Sequence, residues 1–191
     1  MNRAKNCQAN THKTALSVKR SLLLSFAIAA TACVITAMSV TAGRAGDEGS
    51  PIYGVKIPSG YRQWQLIAPS QEAANLNELR VILGNAVAMK AFRNRTLPLP
   101  DGAIIAKLAW KRVPSLGDDR ALGSPQAFVP GAPTTVQFMV KDSQKFAATG
   151  GWGFGRFIAG KPVDKAQHET CFACHEANAQ GHDLLFTHYA R

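Results

Sequence analysis

From residue 60 onward the apolar residues come in short runs broken by turn-forming residues, and no run is long enough for a bundle helix. Residues 64–67, 78–83, 103–111, 134–141 and 152–159 have the β-branched and aromatic character of strands. Between them lie Pro98-Leu99-Pro100-Asp101-Gly102, Pro130-Gly131-Ala132-Pro133 and Gly150-Gly151, which read as turns. Helical patterns are fewer: residues 86–93, residues 143–148 after the cap-like Asp142, and residues 165–177 near the C-terminus. The pattern predicts an α+β fold, mainly an antiparallel β-sheet with short helices. Residues 46–59 read as a mobile N-terminal arm. No internal repeat, low-complexity segment or domain linker interrupts the pattern.

The chain has 191 residues, and its 22 Lys and Arg against 12 Asp and Glu give a net charge of +10. Six of those bases, Arg3, Lys5, Lys13, Lys19, Arg20 and Arg44, lie in the first 45 residues, which hold no acid. Taking 6 from 22 leaves 16 bases against 12 acids, so the rest of the chain carries only +4. Basicity therefore gives no support to a nucleic-acid partner. Residues 1–45 instead read as a signal peptide: a basic start, an uncharged apolar stretch over 21–40, then small residues at Val40, Ala42, Gly43 and Ala45 suited to cleavage. A retained membrane anchor is the weaker reading, and a lipid attachment at Cys33 weaker still. The expectation is a single domain over 46–191, exported to the periplasm.

Two of the four cysteines, Cys7 and Cys33, fall in that leader, so the domain keeps only Cys171 and Cys174. They stand in Cys171-Phe172-Ala173-Cys174-His175, a C-x-x-C-H sequence. A structural disulfide closing so small a ring would remove little chain entropy. A redox disulfide would call for a βαβ continuation that the short remaining tail cannot supply. A zinc site would have to recruit His168, His182 or His188 without any paired-His spacing. Attachment of one c-type haem uses all three residues: two sulfurs for the porphyrin vinyl groups and the His175 imidazole for the iron. Sixth-ligand choices are poor. Met89 and Met139 lie on patterns where methionine normally fills a core, and His182 and His188 sit in a polar tail. The favoured state is therefore iron held by His175 with an open distal face. Phe138, Phe154 and Phe157 read as core residues, with a pocket wall as the alternative.

The domain resembles the cytochrome P-460 family and its relative cytochrome c-prime-beta. The likeness runs from Tyr61-Arg62-Gln63-Trp64 through Glu78-Leu79-Arg80, Pro100-Asp101-Gly102-Ala103-Ile104-Ile105-Ala106-Lys107, Val140-Lys141-Asp142-Ser143 and Gly151-Trp152-Gly153-Phe154 to the C-x-x-C-H sequence and Phe186-Thr187. The resemblance implies a mostly antiparallel sheet, a homodimer and one covalently bound haem. It implies that Lys107 matches the lysine that P-460 proteins bond to the porphyrin rim, a link that c-prime-beta lacks. Arg80 matches an arginine over the distal face, with an ion pair to Glu78 as the plainer reading. Gln137 stands where hydroxylamine-oxidising members carry a distal glutamate, and an amide cannot accept a proton near neutral pH.

The implied function is oxidation of hydroxylamine to NO or N₂O, with electrons passed to an exported acceptor such as another cytochrome. The alternative is a c-prime-beta-like module that captures NO without turnover. An electron carrier with both iron faces closed is the least favoured. Arg80 and Gln137 are the expected distal residues, Cys171, Cys174 and Lys107 the haem-binding ones, and His175 the iron ligand.

Overall fold

The computed structural model describes residues 47–190. The expected signal peptide lies outside the described residues. The described chain winds through a six-stranded antiparallel sheet whose spatial order follows the sequence: β1 (Gln65–Glu72), β2 (Glu78–Gly84), β3 (Ile104–Pro114), β4 (Phe128–Lys141), β5 (Trp152–Ile158) and β6 (Lys161–Pro162). Helix α1 (Ala86–Asn94) joins β2 to β3, α2 (Leu116–Leu122) joins β3 to β4, and α3 (Lys165–Ala179) follows β6. This is the α+β architecture expected, with the C-x-x-C-H sequence on the C-terminal helix. Among the described residues no helix is long and apolar enough to cross a membrane.

Helix α1 begins where Asn85 can cap it. The Asn85 Oδ1 accepts from the Ala88 and Ile104 amides, while its Nδ2 donates to the Gly102 carbonyl. One side chain thus ties the helix start to the Asp101-Gly102 turn and the entry of β3. The helix buries Ala88, Met89, Ala91 and Phe92, an apolar stripe with helical spacing. Met89 is core filler, as expected.

Several boundaries differ from expectation. Strand β1 runs on to Glu72 through Pro69, and it pairs only with β2, an edge position where proline is tolerated. Strand β4 starts at Phe128 and passes through Pro130 and Pro133, which read as a turn. There β4 pairs with β3 alone, since β5 covers only Val136 to Lys141, and two register shifts absorb the irregularity. Helix α2 has no counterpart among the expected elements. Residues 143–148 do not form an α-helix. Asp142 caps a single turn by accepting from the Gln144 and Lys145 amides, and a 3-10 turn (Ala147–Thr149) ends it at Gly150. Gly150 and Gly151 both take positive φ and send the chain straight into β5.

The expected mobile arm is also corrected from residue 50 onward. The Ser50 hydroxyl donates to the Phe154 carbonyl and accepts from the Val55 amide, while Tyr53 and Val55 join the core. Tyr53 meets Phe154 edge-on, with ring centroids 5.4 Å apart. The alternating glycines of β5 make this packing feasible. A Cβ on Gly153 would lie 2.3 Å from the Phe146 ring, and one on Gly155 2.9 Å from both Val55 and Phe157.

Register then fixes what one sheet face presents. Directly opposed residues of antiparallel strands share a face, and Ala68, Ile82, Lys107, Gln137 and Arg156 stand opposite one another across five strands.

Candidate functional site

Helix α3 is anchored before it contributes any chemistry. Asp164 caps it by accepting from the Gln167 amide at 2.9 Å. One turn on, His168 is fully buried. Its Nε2 accepts from the Arg156 amide of β5 at 3.1 Å, and its Nδ1 faces the Asp164 carbonyl at 2.9 Å. The carbonyl can only accept, so Nδ1 carries the proton. His168 is therefore a structural pin between α3 and the sheet.

With the helix fixed, the three- and four-residue spacings bring Cys171, Cys174 and His175 to neighbouring positions on its surface. Both cysteines are free thiols, Cys171 half-buried and Cys174 exposed. Burial pushes the Cys171 thiol up, partly opposed by the charge of Arg156. The His175 ring lies between Phe154 and Phe186, with centroids 5.1 Å and 4.8 Å away. Its Nδ1 lies 2.7 Å from the Leu184 carbonyl, which fixes Nδ1 as donor. Burial lowers the His175 pKa, the carbonyl contact offsets this in part, and the charge of Lys107 lowers it further. Burial and the Lys107 charge both favour the neutral ring, whose Nε2 has no partner among the described residues and which is the form that binds a metal.

His175 and Cys174 line a cavity of about 650 Å³ whose other walls come from the sheet and the C-terminal tail. Arg80, Lys107 and Gln137 all line it, so five of the six expected site residues share one cavity, while Cys171 stands one turn back against the core. Among the described residues the Lys107 amine has neither a hydrogen-bond nor an ion-pair partner. Burial, reinforced by the positive charge of Arg80, brings its pKa down to about 8. The Gln137 amide donates to Thr135 Oγ1 at 3.3 Å.

Arg80 satisfies both readings proposed for it. Its guanidinium is ion-paired to Glu72 and to Glu78, and it also lines the cavity. Glu78 is buried, which alone would raise its pKa, but the Thr134 hydroxyl at 2.6 Å and the Arg80 fork outweigh this and hold it below the ordinary range. Three of the five guanidinium N–H groups are engaged, so two remain free among the described residues.

The cytochrome P460 family model matches residues 58–187, the bulk of the chain. The chain belongs to the cytochrome P460 family. No match is found among individually curated proteins.

A cytochrome P460 is a haem cytochrome, and the residues present fit that group. The cavity lies within the roughly 300–1,000 Å³ range of cofactor sites, and Ile82, Ile105, Phe154 and Leu185 give it apolar walls. The donor set offers two free thiols and a neutral imidazole. Phe138, Phe154 and Phe157 are all core residues, as expected, and Phe138 and Phe154 also form part of the cavity wall. Met139 lines the cavity and is not plain core filler, and exposed His188 lies on its edge. Sequence reasoning did not anticipate Glu72 on the cavity wall or Thr134 as a partner of Glu78. A carboxylate two residues before Arg80, on the same side of an alternating strand, was the only available signal.

Proposed function

We propose that this cytochrome P460 is an exported protein with one haem bound through Cys171 and Cys174, and that it oxidises hydroxylamine. The supporting observation is the shared cavity, which sets His175 against a wall carrying Lys107, Gln137 and Arg80. His175 Nε2 would ligate the iron, with Leu184 and the two phenylalanines fixing the ring plane. When bound, the haem supplies an open coordination position and a redox couple. Two N–H groups of Arg80 would hydrogen-bond to the oxygen of a nitrogen ligand, its guanidinium held in place by Glu72 and Glu78. Hydroxylamine oxidation releases as many protons as electrons. The electrons would pass to another exported cytochrome, and the protons need an acceptor at the cavity wall.

Lys107 is proposed to bond to the porphyrin rim. Its amine is buried, without a partner, and acidified enough to be partly neutral near physiological pH. Forming the N–C bond would remove a hydrogen from each partner and pass an electron pair to an oxidant of the peroxide class, which would be reduced to water. A periplasmic location and a homodimer complete the proposal on the strength of the leader sequence and of the resemblance.

Gln137 favours a second reading. An amide at that place cannot take protons from hydroxylamine, which suits capture of NO without turnover. Steady-state hydroxylamine oxidation with an artificial electron acceptor separates the two. Turnover supports the oxidase reading, and its absence together with tight NO binding supports capture.

A further inference from the structure

His175 depends on one carbonyl for its orientation, and that carbonyl sits on an unusual piece of backbone. Asp183 and Leu184 both adopt positive φ, at 49° and 61°, which non-glycine residues avoid. Two such residues in succession persist only when their surroundings hold them. The Leu184 amide donates to the Ala179 carbonyl at the end of α3, and its own carbonyl accepts from His175 Nδ1.

The hold comes from the Asp183 carboxylate. Its Oδ1 accepts from Lys141 Nζ at 2.7 Å and from Trp152 Nε1 at 3.3 Å, and its Oδ2 accepts from the Leu99 amide at 2.7 Å. Lys141 is fixed in turn by the Gly150 carbonyl at 3.1 Å and lies 4.8 Å from the centre of the Trp152 ring. Both charged side chains are only 8% exposed. An ion pair so deeply buried gains little over an apolar pair of similar volume. Neither residue lines the cavity, so neither can meet substrate there.

We infer that the buried Lys141–Asp183 pair is a positioning device for the axial imidazole. It locks the left-handed turn at residues 183 and 184 so that the Leu184 carbonyl meets His175 Nδ1, and thereby sets the ring orientation and donor strength at the iron. The inference rests on the proposed haem ligation by His175. Lys141 and Asp183 are positioning residues, acting on the iron only through Leu184 and His175.

The test uses the haem-loaded protein and reads the ferrous iron–histidine stretch by resonance Raman, the reduction potential and the melting temperature. Asp183→Asn leaves Lys141 without its counter-charge. The double substitution Lys141→Met/Asp183→Leu removes both charges and keeps the site buried, so it remains readable even if the single variant fails to fold. In the double variant the stretch moves to lower frequency and the potential rises, because a weaker hydrogen bond leaves His175 a poorer donor. Melting recovers relative to Asp183→Asn, and Lys141→Arg retains the wild-type stretch. If the double variant keeps the wild-type stretch and potential while only melting temperatures change, the pair is merely structural and the inference is overturned. A wild-type protein without a haem signal would overturn the ligation reading and this inference with it.

Discussion

Lys107 on β3 and Gln137 on β4 are directly opposed across the strand pair, and both line the cavity that holds His175. The pair places an acidified amine beside a neutral amide, with no carboxylate at either position. That relationship limits the proton chemistry available and sets the conditions for the lysine link.

Gln137→Glu supplies a carboxylate at the place where, by the resemblance, hydroxylamine-oxidising relatives carry one. A positioned general base contributes about two to four orders of magnitude. Hydroxylamine turnover with an artificial acceptor is expected to rise by about a hundredfold or more. An unchanged rate would show that proton removal at residue 137 does not limit the reaction.

The lysine link depends on pH in a defined direction. The amine must be neutral to react, and with a pKa of about 8 its neutral fraction increases as pH rises through that value. Between roughly pH 7 and pH 9 the neutral fraction grows about tenfold. The initial rate of linking in haem-loaded, unlinked precursor treated with peroxide should follow that curve. Lys107→Leu should give an ordinary c-haem ferrous spectrum, against a strongly red-shifted Soret band in the linked wild type. Identical spectra would overturn the Lys107 link.

Arg80→Leu leaves the Glu78 carboxylate buried with only Thr134 as a partner. The loss is expected to be about 3 kcal/mol near pH 7, the low end for breaking a buried pair, because the other partner, Glu72, is exposed. In the wild type the folded pKa of Glu78 lies below its unfolded value, so its contribution is present above the ordinary carboxylate range and fades as pH falls through the lower folded value. In the variant, burial pushes the carboxyl up and it protonates earlier. The stability gap should therefore narrow toward pH 4.5, as read by urea denaturation at the two pH values. A gap independent of pH would mean that Arg80 stabilises by packing alone.

The local sequence showed what local chemistry controls. Five strands and helix α1 follow from apolar periodicity, and Asn85 and Asp164 take the capping positions that their residue types favour. Pro130 and Pro133 misled because whether a proline breaks a strand depends on which neighbour is present, and that is known only once the sheet is assembled. Residues 143–148 fell short of a helix because Gly150 and Gly151 return the chain to β5 at once. The C-x-x-C-H sequence marks its chemistry by spacing alone. The joining of Arg80 to Glu72 across the β1–β2 hairpin depends on register, that of Lys141 to Asp183 spans 42 residues, and neither leaves a periodic trace. The N-terminal segment reads as a mobile arm, yet Ser50 and Tyr53 pack onto Phe154, a contact set by the glycines of β5.

The central claim is that one haem is held covalently through Cys171 and Cys174. The most direct test is the intact mass of the purified, exported protein under denaturing conditions. The account predicts the mature polypeptide plus a single haem. A mass equal to the polypeptide alone would contradict it.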